Sequence, residues 1–133
     1  IGDAMSTLKA DTIVASDGTS PVTLTKQSAA KAWSNLNGTG TIALRDSFNV
    51  SSATDQGIGD YTINFTNSMN NNDYSVSANA GDSSKSWPRL CACGTSADSG
   101  FATSSHGILS QRPDNQADDD MEFVVSSVNG DLA

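Results

Sequence analysis

Between Asn37 and Thr66 the chain reads NGTGTIALRDSFNVSSATDQGIGDYTINFT, and its apolar side chains recur at alternate positions. In Asp60 to Thr66, Tyr61, Ile63 and Phe65 fall on one side and Thr62, Asn64 and Thr66 on the other. A two-residue period is that of a half-buried strand. Similar short runs occur at Leu8 to Val14, Val22 to Thr25, Thr41 to Arg45, around Phe48 and Val50, at Tyr74 to Ala78, Leu90 to Cys93, Ile108 to Gln111 and Met121 to Val128. Ala29 to Leu36 admits a helical turn, because alanine favours helix. Asn37-Gly38 follows it directly, however, and Asn-Gly between two runs is the strongest local hairpin signal, since both central residues must reach positive φ. Ala30 to Leu36 is therefore predicted to be a strand.

Turn-forming residues separate these runs: Ser16 to Pro21, Asp55 to Gly59, Asn70 to Asp73, Gly81 to Pro88, Gly94 to Ser105 and Arg112 to Asp120. No long segment carries the 3.6-residue helical period, and no repeat has solenoid or propeller length. Short strands at roughly 8 to 12 residue spacing predict an all-β antiparallel β-sandwich, jelly-roll-like or Ig-like. A hairpin arm over residues 5–27 precedes a sandwich body over 28–133. Ile42, Leu44, Phe48, Val50, Tyr61, Ile63 and Phe65 are expected to supply one face of the core.

Composition narrows this picture. The chain has 133 residues, enough for one domain with a modest core. Only 36% of residues are hydrophobic, and Ser and Thr make up about a quarter. Such polarity can mean disorder, but regular alternation argues for a fold. Net charge is −8, and seven basic residues scattered from Lys9 to Arg112 form no track for phosphates. Nucleic acid and anionic membranes are thus disfavoured as partners. No apolar run is long enough to span a bilayer, and no charged-then-apolar leader opens the chain. Ile1 to Ala4 read as an upstream cloning scar, with Met5 as the natural start.

Lys31 to Thr66, KAWSNLNGTGTIALRDSFNVSSATDQGIGDYTINFT, resembles a module common in virion proteins of tailed bacteriophages, especially marine, cyanophage-type ones. The shared signature is KAW, NGTGT, SFNVSS and GDYT at matching spacing. MSTLKADTI, Met5 to Ile13, is similar to the opening of short phage fibre-like proteins. The likeness is specific over Lys31 to Val76 and loose after Gly81, where ILSQRPDNQADDDMEFVVSSVNG keeps only a closing two-strand shape. The resemblance implies a non-enzymatic virion surface protein, assembled in the bacterial host cytoplasm. It would be a fibre or fibre-tip module for host attachment, or a knob decorating the capsid. Partners would be other virion proteins and a host-surface glycan or protein, and many such modules are homotrimers.

Candidate chemistry is sparse. Cys91 and Cys93 lie two apart, so on a strand their side chains share a face about 7 Å apart. That is too far for a disulfide, and they read as small buried hydrophobes. His106 is the lone histidine. It could pair with a serine or with a cysteine thiol, but the G-x-S-x-G elbow is absent, and a loop histidine with a local hydrogen bond is the plainer reading. No catalytic, cofactor or metal site is expected, and a carbohydrate-active domain is the remote alternative. Asp114, Asp118, Asp119, Asp120 and Glu122 form an acidic cluster lacking EF-hand spacing, read as a solvated turn that also blunts edge pairing. Three Asn-x-Ser/Thr matches, at Asn37, Asn49 and Asn64, are expected from composition alone. Trp87 before Pro88 in a polar loop can stack on a sugar or anchor a protein contact, or fold back on the sheet; Trp33 is expected in core or subunit packing. Trp87, Lys85, Arg89, His106, Arg112 and Asp114 are the candidate surface-recognition residues, and loops 81–88, 94–105 and 112–120 are the expected displayed surface.

Overall fold

A computed structural model describes residues 12–19, 29–94 and 100–133. Eight strands form: β1 (Ala32–Asn37), β2 (Ala43–Phe48), β3 (Val50–Gly57), β4 (Asp60–Phe65), β5 (Ser75–Gly81), β6 (Leu90–Cys93), β7 (Ser105–Gln111) and β8 (Phe123–Asn129). They make two four-stranded antiparallel sheets, ordered β2-β1-β8-β5 and β3-β4-β7-β6. This is the expected antiparallel sandwich. The expected arm strands, Leu8 to Val14 and Val22 to Thr25, lie wholly or mostly outside the described residues. The turn between them is described: Gly18 donates to the Ala15 carbonyl, and Asp17 accepts from the Thr19 amide.

The strand-forming choice at Ala30 to Leu36 holds, but the Asn-Gly turn works differently from its sequence signal. Gly38 does not take positive φ; Gly40 does, at 65°. Gly38 is required by space instead. A Cβ there would lie 2.8 Å from the Tyr61 ring and 2.9 Å from the Met121 carbonyl oxygen. β3 also runs further than expected, to Gly57, before turning at Ile58 and Gly59.

Between β2 and β3 the chain passes from one sheet to the other in a single residue, Asn49, at φ 53°. Asparagine tolerates this left-handed conformation better than most residues. Its side chain holds the corner, donating to the Lys31 and Asn67 carbonyls and accepting from the Asn67 amide at 2.8 Å. Asn37 and Asn64 are likewise committed, to Thr39 and to the Ser52 and Thr54 hydroxyls. All three asparagines of the glycosylation-like triplets thus have folding roles.

The core has two apolar halves. One gathers Leu36, Tyr61, Ile63, Ile108, Met121 and Val124; the other gathers Ala32, Phe65, Met69, Tyr74 and Val128. Between them lies a buried polar trio. Ser34 Oγ is 2.8 Å from Ser126 Oγ, which is 3.3 Å from His106 Nε2. The inward faces of β1 and β8 read Ala32-Ser34-Leu36 and Val124-Ser126-Val128, so the serines meet His106 of β7 across the sandwich. Phe48, expected in the core, is instead exposed and pairs in register with Trp33 on the outer face of the first sheet.

Candidate functional site

The strand order sends the loops to two ends of the sandwich. The 82–89 and 112–122 connections share one end with the β3–β4 turn. Residues 100–104, the described part of the 94–104 connection, lie at the other end, where Tyr74 donates to the Ala102 and Ser105 carbonyls. Of the three loops expected to form one display surface, two therefore lie together, and the described residues of the third lie at the opposite end.

At the two-loop end the backbone builds a rigid base. Asp82 accepts from the Ser84 amide and hydroxyl, folding a tight turn. Glu122 accepts from the Ser83 amide and, through a very short contact, from the Ser83 hydroxyl. This pins the turn to the start of β8 and aims Lys85 inward. From β7, Gln111 bridges to Asp118, and the Arg112 amide bonds the Ala117 carbonyl. Gln116 closes this turn at φ 57°. The chain thereby returns Asp119 beside Ser110, whose hydroxyl donates to the Asp119 carbonyl at 2.7 Å.

Asp119 is the hub. Its Oδ2 accepts from Lys85 Nζ at 2.9 Å and from Arg112 Nε at 3.0 Å. Burial by itself would raise the Asp119 pKa; hydrogen bonds and charge from Arg112 and Lys85 outweigh it and hold the carboxyl below its ordinary value. Asp119 in turn raises the Arg112 guanidinium. One residue on, Asp120 accepts from the Gly59 amide at 2.8 Å and from the Tyr61 hydroxyl at 2.9 Å. Burial first, then the Asp120 carboxylate, pushes the Tyr61 phenol well above its usual range.

Above this base lies a cleft of about 230 Å³ lined by Lys85, Trp87, Arg89, Arg112, Pro113, Asp114 and Asp119. Five of the six candidate recognition residues are brought together there. Trp87 is 74% exposed, so of its two expected roles the fold-back on the sheet is excluded. Three of the seven basic residues, scattered in sequence, meet in this cleft.

His106, the sixth candidate, does not belong to the surface. It is a strand residue, fully buried. Burial lowers its pKa to about 4, against a weaker opposing pull from the Gly107 carbonyl, so the ring is neutral at pH 7. Among the described residues the one Ser-His hydrogen bond, to Ser126, is closed to solvent. Among the described residues neither cysteine hydrogen-bonds to it; both are half-buried free thiols on β6, and burial, then the neighbouring Cys93, pushes Cys91 up to about 12. The acidic run is solvated in part: Asp114 and Asp118 are exposed, whereas Asp119 is buried. Asp118, Asp119, Asp120 and Glu122 each engage protein donors, and among the described residues no group of three metal-ligating side chains converges.

A second surface escaped the sequence reading. A shallow groove of about 380 Å³ crosses the outer face of the first sheet, lined by Trp33, Asn35, Ser77, Asn79, Val125 and Ser127. The buried Asn35 Oδ1 there has no hydrogen-bond partner among the described residues. Trp33 faces outward, which excludes a role in this chain's own core. Its alternating position in β1, on the side opposite Ala32 and Leu36, was the available signal.

Neither a family model, nor a curated protein, nor a solved structure matches the chain.

Proposed function

We propose that the protein is a non-enzymatic surface module of a tailed-phage particle, of fibre or fibre-tip type, that attaches to the host envelope through the Trp87 cleft. The observation that carries this reading is the convergence of an exposed Trp87 with Lys85, Arg89 and Arg112 on braced loops at one end of a rigid sandwich. Recognition residues on loops held by a stiff scaffold are a common binding arrangement. Asp119 is unsuited to general acid catalysis. A general acid must hold a proton near neutral pH, whereas Asp119 is doubly paired and its pKa is depressed.

A head-decorating knob is the second reading. The exposed aromatic pair Trp33 and Phe48 favours it, because an apolar outer face suits contact with another virion subunit. The same face is the proposed contact of a homotrimer. Saturable binding of the purified protein to host cells, abolished by Trp87→Ala, is the expected result; binding to empty capsids without cell binding would transfer the assignment to the knob. Light scattering should report an assembly that Trp33→Ser dissociates. A monomer at all concentrations would remove the trimer.

A further inference from the structure

We infer that the Trp87 cleft takes a carboxylate-bearing sugar, a uronic acid residue of a larger saccharide. This rests on the reading of that end as the recognition surface and adds the chemical class of its ligand.

The argument begins with the cations. Lys85 is spent: its ammonium binds Asp119 and the Asp120 carbonyl, with Asp82 at 3.6 Å. The arginines are not. Arg112 uses Nε on Asp119, and among the described residues its two terminal nitrogens make no hydrogen bond. Arg89 uses Nε on Met121 Sδ at 3.2 Å and Nη1 on the Pro88 carbonyl at 3.4 Å. No carboxylate among the described residues lies within salt-bridge distance of it. Two anchored guanidiniums thus line one cleft with unused donors. Planar N–H forks of this kind match a carboxylate in two-point contact.

Trp87 supplies the second requirement. Its largely exposed indole offers an apolar face beside a polar tip, suited to the flat C–H face of a sugar ring. Asp114 supplies the third. A carboxylate in the lining can only accept hydrogen bonds, so it favours a ligand carrying hydroxyl donors next to its charge. A sulfate ester or a fully ionised phosphate ester carries acceptors alone, and a protein of net charge −8 repels densely charged polyanions at range. The lining holds three cations and two carboxylates, a net of +1 from 3 − 2, which fits a ligand of one negative charge per sugar. The cleft, at about 230 Å³, is sized for a small ring rather than a length of folded chain.

The test is titration calorimetry of the whole chain with oligosaccharides containing glucuronate, galacturonate or mannuronate. Each is paired with its twin in which the carboxyl is reduced to an alcohol. At least one uronate should bind roughly tenfold or more tighter than its twin, the range expected for a hydrogen-bonded charge. Arg89→Gln should erase that preference, with thermal denaturation showing that the variant still folds. Trp87→Ala should weaken both. Equal affinity for the twins, a preference that survives Arg89→Gln, tighter binding to dextran sulfate or an acidic peptide, or no saccharide binding by the folded chain would each overturn the inference. Trp87-dependent cell attachment without any acid preference would overturn the inference and leave the attachment reading standing. Attachment indifferent to Trp87→Ala would remove both.

Discussion

Gly59→Ala should destabilise the protein by about 3 kcal/mol, at the upper range of single substitutions, and lower its melting temperature by roughly 10 °C. Two costs add. Gly59 sits at φ +68°, where an L side chain is strained by about 1 kcal/mol. Its Cβ would also lie 2.5 Å from the Ser110 carbonyl oxygen and 2.8 Å from the Asp119 nitrogen. Both are backbone atoms, so no rotamer change relieves the clash. The strand end and the 112–120 loop must move apart, which strains the bond from the Ser110 amide to the Gly59 carbonyl and that from the Gly59 amide to Asp120. The base of the Trp87 cleft moves with them, so binding should fall together with stability. Gly40→Ala is the control. It has φ +65° but nothing within 4 Å of its Cβ, and should cost only about 1 kcal/mol. Thermal or urea denaturation of the two variants checks the claim; equal losses would refute the steric argument.

Acid should weaken the fold earlier than its carboxylates require, because of His106. The ring has a pKa near 6.5 when unfolded and about 4 when folded. Between those values the unfolded chain binds the extra proton. Stability due to this group is therefore complete above pH 6.5 and declines as pH falls towards 4, by about 3 kcal/mol in all. Asp82, Asp119 and Glu122 have folded pKa values below their ordinary 3.8 to 4.5. Their contributions are present above those ordinary values and lost only at lower pH. The two effects thus occupy separate windows. Unfolding free energy measured from pH 7.5 to 4.5 should slope downward in the parent and be nearly flat in His106→Gln, which keeps a polar partner for Ser126 and cannot titrate. Matching slopes would show that the buried trio does not control acid stability.

His106 also illustrates where reading the sequence stops. A lone histidine after Ser104-Ser105 and before a glycine looks like loop chemistry, and nothing local signals burial. Only the pairing of β7 with β4, which sets His106 opposite Ile63, and the packing of the sheets place it against Ser126 and Ser34. Ser34 and Ser126 had a weak local sign, since each lies between apolar inward positions of its strand. Phe48 failed in the other direction. Its hydrophobicity suggested core, but the register with Trp33 turns it outward.

The alternation of apolar and polar residues by itself determined the all-β class, most strand positions and the buried face Tyr61-Ile63-Phe65, because the two-residue period is a property of the extended backbone and needs no partner. Residue type also singled out Trp87, Lys85, Arg89, Arg112 and Asp114, since charges in Pro- and Gly-bounded loops cannot be buried cheaply and a tryptophan among them offers a stacking face. Their convergence belonged to the tertiary structure alone. Lys85 and Asp119 are 34 residues apart and meet because β5–β6 and β7–β8 cross between the sheets at the same end of the sandwich. Strand order decides which loops share an end, and strand order depends on long-range pairing that no local pattern encodes.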